Sequence, residues 1–378
     1  WNHFLSFREE AYLAARSAGG SLPPGAFSYN ANAAELTRLR KLLPWLKEAD
    51  VTALQQTLRD LDKAFVAFFE GRAGFPARRH RGDDRYRVCG QASFAVSEDW
   101  VRLPKLGWLR FRKSREIPTG RILNVSISSE GAHWFVSFCV EHELPELAAP
   151  TGPAIGIDLG IAQSITFSDG RPPEHLPVPT ARESAFLKRL ARQVSRKQRG
   201  SQRRRRAVAR LAKHRRHLAN RRRDFTHKIT SKLAREHREI HVEDLRLSNM
   251  TRSASGTIEA PGTNVRAKSG LNRSLLAQAH GETLRFLGYK CPRSGSELVK
   301  KNPAGTSITC SSCHHIAPEN RPSQAVFRCT KCGFELNADL NAAINILNKP
   351  AGGLSVAARR RKSLKTPTEA RTHPKVAA

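Results

Sequence analysis

Four cysteines near the end of the chain constrain its fold more than any other feature. The spacing is Cys310-x2-Cys313, then fifteen residues, then Cys329-x2-Cys332. Two pairs at this spacing form two knuckles whose thiolates converge on one tetrahedral zinc ion. Seven residues later, Asp339 begins a segment with helical apolar spacing, at Leu340, Ala343, Ile344 and Leu347. The sequence therefore predicts a zinc module that directs an aspartate from the start of a helix.

The charge of the chain limits the partners it can have. Its net charge is +32 and its pI is near 10.9. This much positive charge repels itself unless a polyanion neutralises it. A nucleic acid is favoured over an anionic membrane, because no apolar run approaches the roughly 20 residues of a membrane span and no signal peptide is visible. We expect a cytoplasmic protein that binds nucleic acid.

The first 150 residues change from helical to strand-like patterning. Residues 1–70 place apolar side chains at helical spacing, and a Gly, Pro and Arg-rich passage follows at 71–87. Beyond it, alternating apolar and polar residues predict strands near 92–96, 100–103, 109–111, 122–128 and 133–141. Such closely spaced strands favour a small antiparallel barrel. Residues 143–152, with two prolines, form the predicted linker.

Residues 182–236 predict one long helix with an unusual concentration of positive charge. The stretch 188–223 contains 17 Lys or Arg in 36 positions and no Asp or Glu. Because its arginine runs are in phase with a thin apolar seam, we favour a helix along a phosphate backbone over a solvated face or a disordered arm. The arginines assigned to nucleic acid are Arg203, Arg204, Arg205, Arg206, Arg210, Arg221, Arg222 and Arg223.

The remaining segments of the second half are short. Residues 154–167 predict strand, turn and strand, and 239–245 predict an apolar strand that ends in acid. A mobile loop at 246–271, a helix at 275–287 and a strand at 289–299 follow. The last residues, 350–378, lack the apolar residues of a core, and we expect a basic disordered tail.

Three acids stand where a carboxylate is costly to bury. Asp158 and Glu243 lie in apolar strands and Asp339 opens an apolar helix. Singly, each has an ordinary explanation, as a turn cap, an ion-pair partner or an acid favoured by the helix dipole. Together, their order is that of a ribonuclease H-like core. Three carboxylates at one sheet edge hold two Mg2+ or Mn2+ ions about 4 Å apart, while the thiolates keep structural zinc.

Three motifs in this order resemble one known family. The runs GIDLGI at 156–161, VEDL at 242–245, and TSITCSSC, FRCTKCG and ADLNAAINI within 306–346 are similar to the split RuvC nuclease domain of the TnpB family. Those proteins are transposon-associated, RNA-guided DNA endonucleases related to compact type V CRISPR effectors. The resemblance thus implies a prokaryotic, nucleoid-associated protein. The chain departs from many of them at Asn337, where they have a second aspartate, and at Ala325, where they have an arginine.

The resemblance implies both roles and architecture. Asp158, Glu243 and Asp339 would be the metal-binding catalytic acids, and the four cysteines would bind zinc. The implied fold is multidomain α+β, and its parts follow in chain order. They are a helical recognition lobe (1–70), a wedge-type β-barrel (71–150) whose first strand would precede residue 1, a RuvC core (151–305), a zinc-ribbon insertion (306–335), a final RuvC helix (336–349) and the tail (350–378).

The function implied is cleavage of double-stranded target DNA that pairs with a noncoding guide RNA beside a short DNA motif. An RNA-guided repressor that binds without cleaving, and a DNA transposase that joins ends with the same carboxylates, are open alternatives. An actin-like nucleotide-binding enzyme is a third, since Asp158-Leu159-Gly160 also resembles a phosphate loop. No later Gly-rich adenosine motif accompanies that loop in the sequence, which weighs against the third alternative.

Overall fold

A computed structural model describes most of the chain. The described residues are 1–19, 28–80, 85–90, 94–130, 133–143, 147–257 and 259–350. The chain divides into two compact units, Trp1–Glu143 and Leu144–Ala378, with the boundary at the start of the predicted linker. The predicted tail lies outside the described residues from 351 onward. No helix in the described ranges is long and apolar enough to cross a membrane.

Four helices begin the first unit, as the apolar spacing predicts. They are α1 (Asn2–Ser17), α2 (Tyr29–Leu42), α3 (Trp45–Glu48) and α4 (Val51–Phe69). Their apolar faces meet in a core formed by Phe4, Leu5, Leu36, Leu58, Leu61 and Phe65. The Asp50 side chain accepts a hydrogen bond from the Ala53 amide at 2.8 Å and so caps the start of α4.

Six antiparallel strands follow among the described residues of the first unit. They are β1 (Arg85–Cys89), β2 (Ala95–Ser97), β3 (Trp100–Leu103), β4 (Gly107–Arg110), β5 (Arg121–Glu130) and β6 (His133–Glu141). Two sheets, ordered β1-β5-β6 and β2-β3-β4, share a core of Val88, Phe94, Val101, Leu103 and Val125. The predicted antiparallel pairing is confirmed. Strand β1 was not predicted because its arginines continue the basic passage before it, and the start of the predicted strand at 92 lies outside the described residues.

The second unit is built on a mixed sheet of four strands. These are β7 (Ile155–Asp158), β8 (Thr166–Phe167), β9 (Glu239–Glu243) and β10 (Glu297–Lys301). Their order is β10-β9-β7-β8, with β8 antiparallel to β7 and the others parallel. The apolar residues of β7 and β9 are buried at both faces, as parallel strands require. Helices α5 (Ala181–Ser195) and α6 (Gln202–Glu236) connect β8 to β9.

The rest of the second unit consists of short elements and one closing helix. They are α7 (Leu247–Met250), α8 (Val265–Ala277), α9 (His280–Arg293), β11 (Val326–Arg328), β12 (Glu335–Asn337) and α10 (Ala338–Asn348). Helix α10 lies directly on β7. A Cβ atom at Gly156 of β7 would stand 2.2 Å from the Ala343 carbonyl oxygen, so only glycine permits this approach.

Three sequence predictions for the second unit are wrong in part. The single long helix is two, because Gly200 takes a left-handed φ of +83° between them and Ser201 caps α6. The predicted loop at 246–271 contains α7 and the start of α8, and the Lys268 ammonium donates to the Met250 carbonyl at 2.6 Å. The predicted strand at 289–299 is helical through Arg293.

Contacts with α6 explain the extension of α9. The Lys290 ammonium donates to the His227 carbonyl and to the hydroxyls of Thr230 and Ser231, at 2.6, 2.8 and 2.8 Å. Phe286 stacks on His227 with ring centroids 3.9 Å apart. These tertiary contacts override the strand-like local pattern, because propensity is a weaker term than packing.

Candidate active site

Two of the predicted acids stand side by side at one edge of the sheet. Asp158 ends β7 and Glu243 ends β9, and the preceding residues, Ile157 and Val242, are partners in the parallel register. The next residues along both strands therefore emerge at the same sheet edge. Thr306 donates its hydroxyl to Glu243 Oε1 at 2.5 Å, which fixes the orientation of that carboxylate.

The third acid reaches this edge from α10. The Asn337 side chain caps the helix by accepting from the amides of Asp339 and Leu340, at 3.0 and 3.1 Å. The loop after β7 runs beside the same acid, because a Cβ at Gly160 would lie 3.9 Å from Asp339 Oδ2. The charges of Glu243 and Asp339 both act on Asp158, so the three acids are neighbours in the structure.

Burial and mutual repulsion make these acids hard to ionise. Burial, followed by the charges of Glu243 and Asp339, raises the pKa of Asp158 to about 7. Burial also raises the pKa of Glu243, opposed by the Thr306 hydrogen bond, and the pKa of Asp339, opposed by Arg321. Three half-buried carboxylates with raised pKa values favour a multivalent cation, and oxygen donors suit Mg2+ or Mn2+.

One arginine at this site was missed by the sequence analysis. Arg321 lies between the two cysteine pairs, and its Nη2 is 3.3 Å from Asp339 Oδ1 and donates to the Gln324 carbonyl at 2.9 Å. Its side chain is 25% exposed, and its charge lowers the pKa of Asp158. Many family members have an arginine at the position of Ala325, four residues after Arg321. The absence of that arginine was the one signal in the sequence that a nearby arginine could take its place.

The four predicted cysteines form a compact cluster. Sγ atoms of Cys310 and Cys332 are 3.8 Å apart, those of Cys313 and Cys329 are 3.5 Å apart, and all four lie within 4.8 Å of one another. A tetrahedral zinc ion with bonds of about 2.3 Å separates its sulfur ligands by about 3.8 Å. The cluster therefore fits zinc. No other group of three or more His, Cys, Asp or Glu is gathered this closely among the described residues.

Each cysteine pair sits on a turn of the same design. After the first pair, His314 takes a φ of +59° and its amide donates to the Cys310 carbonyl at 3.0 Å. After the second pair, Gly333 takes a φ of +73° and its amide donates to the Cys329 carbonyl at 3.0 Å. A left-handed residue thus reverses the chain and aims two sulfurs inward at both knuckles.

Buried asparagines fasten this cluster to α10. Asn341 accepts from the Ser311 amide at 3.0 Å and donates to the Thr309 carbonyl at 2.9 Å. Asn345 donates to the carbonyls of Thr306 and Thr309, at 2.9 and 2.7 Å. Of the four apolar positions that predict this helix, Ala343 is buried and Leu340, Ile344 and Leu347 are half-buried. The side chains of Asn341, Asn345 and Ile346 are buried beside Ala343.

Two further buried side chains hold the loop that follows Asp158. The Gln278 amide donates to the Ile161 carbonyl at 2.9 Å and accepts from the Ser164 hydroxyl at 2.6 Å. A ring nitrogen of His280, Nε2, is 3.0 Å from the Gly160 carbonyl oxygen. Sequence patterns do not reveal these positioning contacts, because they join residues more than 110 positions apart.

The eight arginines assigned to nucleic acid fall into two sets. Arg203, Arg205, Arg206 and Arg210 are exposed on α6. Arg221 and Arg223 pair with Glu183 and Glu282, at 2.6 and 3.1 Å, while Arg204 and Arg222 donate to the carbonyls of Val194 and Ala277, at 2.9 and 3.3 Å. Only the first set is placed as the prediction requires; the second set anchors α6 to its neighbours.

Fold and site together define a class of multidomain α/β protein with an acidic sheet edge and a four-cysteine cluster. Two family profiles match the chain. One, OrfB_IS605, described as "Probable transposase", matches residues 137–254, and the other, described as "Cas12f1-like, TNB domain", matches residues 280–346. The first ends just beyond Glu243, and the second contains the cysteines and Asp339.

Individual relatives agree with the profiles. The chain is 42% identical over 308 residues to "Putative RNA-guided DNA endonuclease InsQ" of Escherichia coli (strain K12), covering 80% of this chain and 75% of that protein. It is 32% identical over 338 residues to "Putative RNA-guided DNA endonuclease" of Streptomyces pristinaespiralis, covering 88% and 79%. The chain therefore belongs to the TnpB family.

One solved structure supports the fold. The protein in a cryo-EM structure of a Cas12f1-sgRNA-target DNA complex aligns with a TM-score of 0.50 at 14% identity, covering 91% of this chain and 80% of that chain. At this identity the likeness concerns the fold alone. It agrees with the mixed α/β multidomain architecture described above.

Proposed function

We propose that this protein is an RNA-guided DNA endonuclease that cleaves with Asp158, Glu243 and Asp339. The observation that supports the proposal is that these three half-buried acids lie near one sheet edge, where burial and the charges of the other two raise the pKa of Asp158 to about 7. Relatives at 42% and 32% identity carry the name of that activity. In this proposal a noncoding guide RNA selects the DNA by pairing, and the protein reads a short adjacent motif.

The second unit then works as a ribonuclease H-like, or RuvC, nuclease with a zinc-ribbon insertion. The sheet order β10-β9-β7-β8, with α10 on β7, supports this interpretation. The first unit supplies the recognition helices and the wedge strands. The domain boundaries predicted from the sequence, at 70, 150, 305, 335 and 349, remain part of this proposal.

Asp158, Glu243 and Asp339 would hold two Mg2+ or Mn2+ ions. When bound, two such metal ions activate a water molecule and stabilise the leaving oxygen of a phosphodiester. Thr306 keeps Glu243 oriented through its 2.5 Å hydrogen bond, while Arg321 lies 3.3 Å from Asp339 and offsets part of its charge until an ion binds. Gln278 and His280 hold the loop beside Asp158, so the acids are pre-positioned before a substrate arrives.

The exposed arginines of α6 would grip the RNA or the RNA–DNA heteroduplex. Arg203, Arg205, Arg206 and Arg210 present their guanidinium groups to solvent on one helix. Arginine contacts with phosphate add affinity that falls with salt and carry no sequence information. We therefore assign α6 to backbone binding and the choice of target to base pairing.

Cleavage by the RNA-bound protein tests this proposal. RNA that copurifies is sequenced to identify the guide, and matched linear duplex DNA is then incubated with Mg2+. We expect cleavage by the wild type, and a loss of at least about a thousandfold in rate for Asp158→Asn with RNA binding unchanged, because only metal coordination is removed. Asp244→Asn is the matched control, since Asp244 follows Glu243 but pairs with Lys300 at 3.1 Å.

The same assay separates the two other functions. Target binding without products in the presence of Mg2+ would establish a guided repressor and contradict the nuclease. The profile description "Probable transposase" favours a transposase as the second candidate. Donor and target DNA joined in a new covalent strand would identify that activity, and cut products alone would exclude it under those conditions.

A further inference from the structure

An exposed sheet face in the first unit presents tryptophan and arginine in alternation. The face belongs to the β2-β3-β4 sheet. Val101 and Leu103 of β3 are buried in the core, so Trp100 and Arg102 point to the opposite side. On β4, Leu109 packs toward the core, which places Trp108 and Arg110 on the same outer side.

The strand register sets these four side chains in a grid. Trp100 is the direct partner of Arg110, and Arg102 is the direct partner of Trp108. Each tryptophan therefore stands beside an arginine across the strands and next to the other arginine along its own strand. Side chains paired in this way have Cβ atoms about 5 Å apart. We call this group of four the Trp/Arg face.

The neighbouring strand leaves the Trp/Arg face uncovered. Ala95 and Ser97 of β2 are the partners of Arg102 and Trp100, and both have short side chains. Trp100 keeps 41% of its surface exposed and Trp108 keeps 52%. Two large indoles are therefore exposed on one sheet face. Exposed apolar surface of this kind marks an interaction site.

The backbone beneath the face is fixed. Tyr86 of β1 donates its hydroxyl to the Pro104 carbonyl in the β3–β4 turn at 2.9 Å. Asp99 accepts from Arg110 Nε at 2.8 Å, which orients that guanidinium beside Trp100. The four side chains are thus presented on strands and a braced turn, so little ordering remains for a ligand to impose.

The charge around the face indicates the kind of ligand. Residues 98–121 contain seven Lys or Arg and three acids, of which Asp99 pairs with Arg110, so the surroundings of the face remain positively charged. Aromatic rings stack on nucleobases while neighbouring arginines neutralise phosphates, and this combination binds unpaired nucleic acid with little sequence preference. A helical duplex hides its base faces within its own stack, whereas loops and ends of RNA display them.

We propose that the Trp/Arg face binds an unpaired segment of RNA, with bases stacked on Trp100 and Trp108 and phosphates beside Arg102 and Arg110. This inference rests on the proposed function for the source of the RNA, which is the guide. It adds to that function a binding site in the first unit, separate from the acids and from the arginines of α6.

Binding of the RNA-free full chain to the oligonucleotide rU8 tests the inference. The titration is done at 300 mM salt, where contacts that depend on phosphate alone are weakened. We expect Trp100→Ala/Trp108→Ala to lose at least about tenfold in affinity, and Trp100→Phe/Trp108→Phe to keep most of it. The control is Trp45→Ala, because Trp45 is 62% exposed on α3 and not on this face.

Two further measurements separate stacking from charge. Tryptophan emission should be quenched by rU8 in the wild type, and most of that quenching should disappear in the phenylalanine variant although it still binds. Arg102→Gln/Arg110→Gln should flatten the salt dependence by about 1.4 in the slope of log K against log salt, a change absent from the tryptophan variants.

The inference is overturned if the alanine pair binds rU8 within twofold of wild type, or if its loss appears only with dT8 or with duplex DNA. It is supported if the loss appears with rU8 and the alanine pair also copurifies with less RNA. These results do not depend on DNA cleavage. A wild type that binds rU8 through this face but cuts no matched DNA would therefore contradict the proposed nuclease and leave the face assigned.

Discussion

The cysteine cluster and the acidic cluster lie in one unit but are assembled in opposite ways. The four sulfurs come from a single short run and already lie within 4.8 Å of one another. The three carboxylates come from β7, β9 and α10, and their arrangement depends on strand register and on the approach of α10 to Gly156. A short segment is therefore enough to assemble the cysteine cluster, whereas the acidic cluster forms only when the whole sheet and α10 are folded.

The two clusters also differ in what holds them before a metal binds. Each cysteine pair is fixed by its own turn, through His314 and Gly333. Glu243 instead accepts a hydrogen bond from Thr306 and Asp339 pairs with Arg321, and both partners lie outside the strand or helix that carries the acid. The acids retain raised pKa values as a result of their burial. A site of this kind stays available for exchangeable ions, while a closed thiolate site does not.

The comparison predicts the largest loss from damage to the cysteine cluster. Cys329→Ser should remove zinc from the chain and lower the unfolding free energy by several kcal/mol, because structural zinc contributes folding energy. Cleavage should fall with it, since β12 leads directly into α10 and Asp339. Zinc analysis and thermal unfolding measure both effects, with Cys139→Ser, an exposed cysteine of the first unit, as control. Full zinc content in Cys329→Ser would be incompatible with the assignment.

A smaller effect, on the order of 2 to 4 kcal/mol, should come from the pH dependence of Asp158. Its pKa is raised to about 7 from 3.8, so the folded state binds the extra proton between these values. Stability from this group is present below about pH 4 and is lost as the pH rises through 7. Asp158→Asn should therefore be more stable than wild type at pH 8 without divalent cations, and nearly equal at pH 4.

Thermal unfolding of both proteins across this pH range measures the difference. Adding Mn2+ at pH 8 should reverse it, because an ion that binds the folded wild type stabilises that state. Equal stabilities at pH 8, with no response to Mn2+, would mean that the pKa of Asp158 is not raised in the folded protein. That result would contradict the acidic site described above.

The smallest expected effect concerns Arg321, which lies between the two cysteine pairs and contacts an acid of the other cluster. Nη2 of Arg321 lies 3.3 Å from Oδ1 of Asp339, where the guanidinium would compete with a metal ion for that carboxylate. At pH 8.5, Arg321→Gln should tighten Mn2+ binding about fivefold, the equivalent of about 1 kcal/mol for a partly exposed ion pair. Calorimetric titration with Mn2+ measures the change. Arg328→Gln is the matched control, since Arg328 pairs with Glu335 at 2.9 Å in the same module; weaker Mn2+ binding by Arg321→Gln would show that the arginine supports the metal site.

The sequence predicted the parts of both clusters that depend on short motifs. Cysteine spacing, an acid at the end of an apolar strand and an acid at the start of an apolar helix are local signals, so the four cysteines and the three acids could be named as candidates from them. Arg321, Thr306, Asn341 and Asn345 could not, because they act through contacts between distant segments. The same limit explains α9, whose last turn is stabilised by Lys290 contacts with α6 and was mistaken for strand.

We expect the acids to bind Mg2+ or Mn2+ and the cysteines to bind zinc, as two different metal sites. Elemental analysis of the purified chain after equilibration with Mn2+ tests it directly. We predict one zinc and about two manganese ions per wild-type chain. Asp158→Asn/Asp339→Asn should lose the manganese and keep the zinc. Manganese retained at the wild-type level in that double variant would contradict the claim.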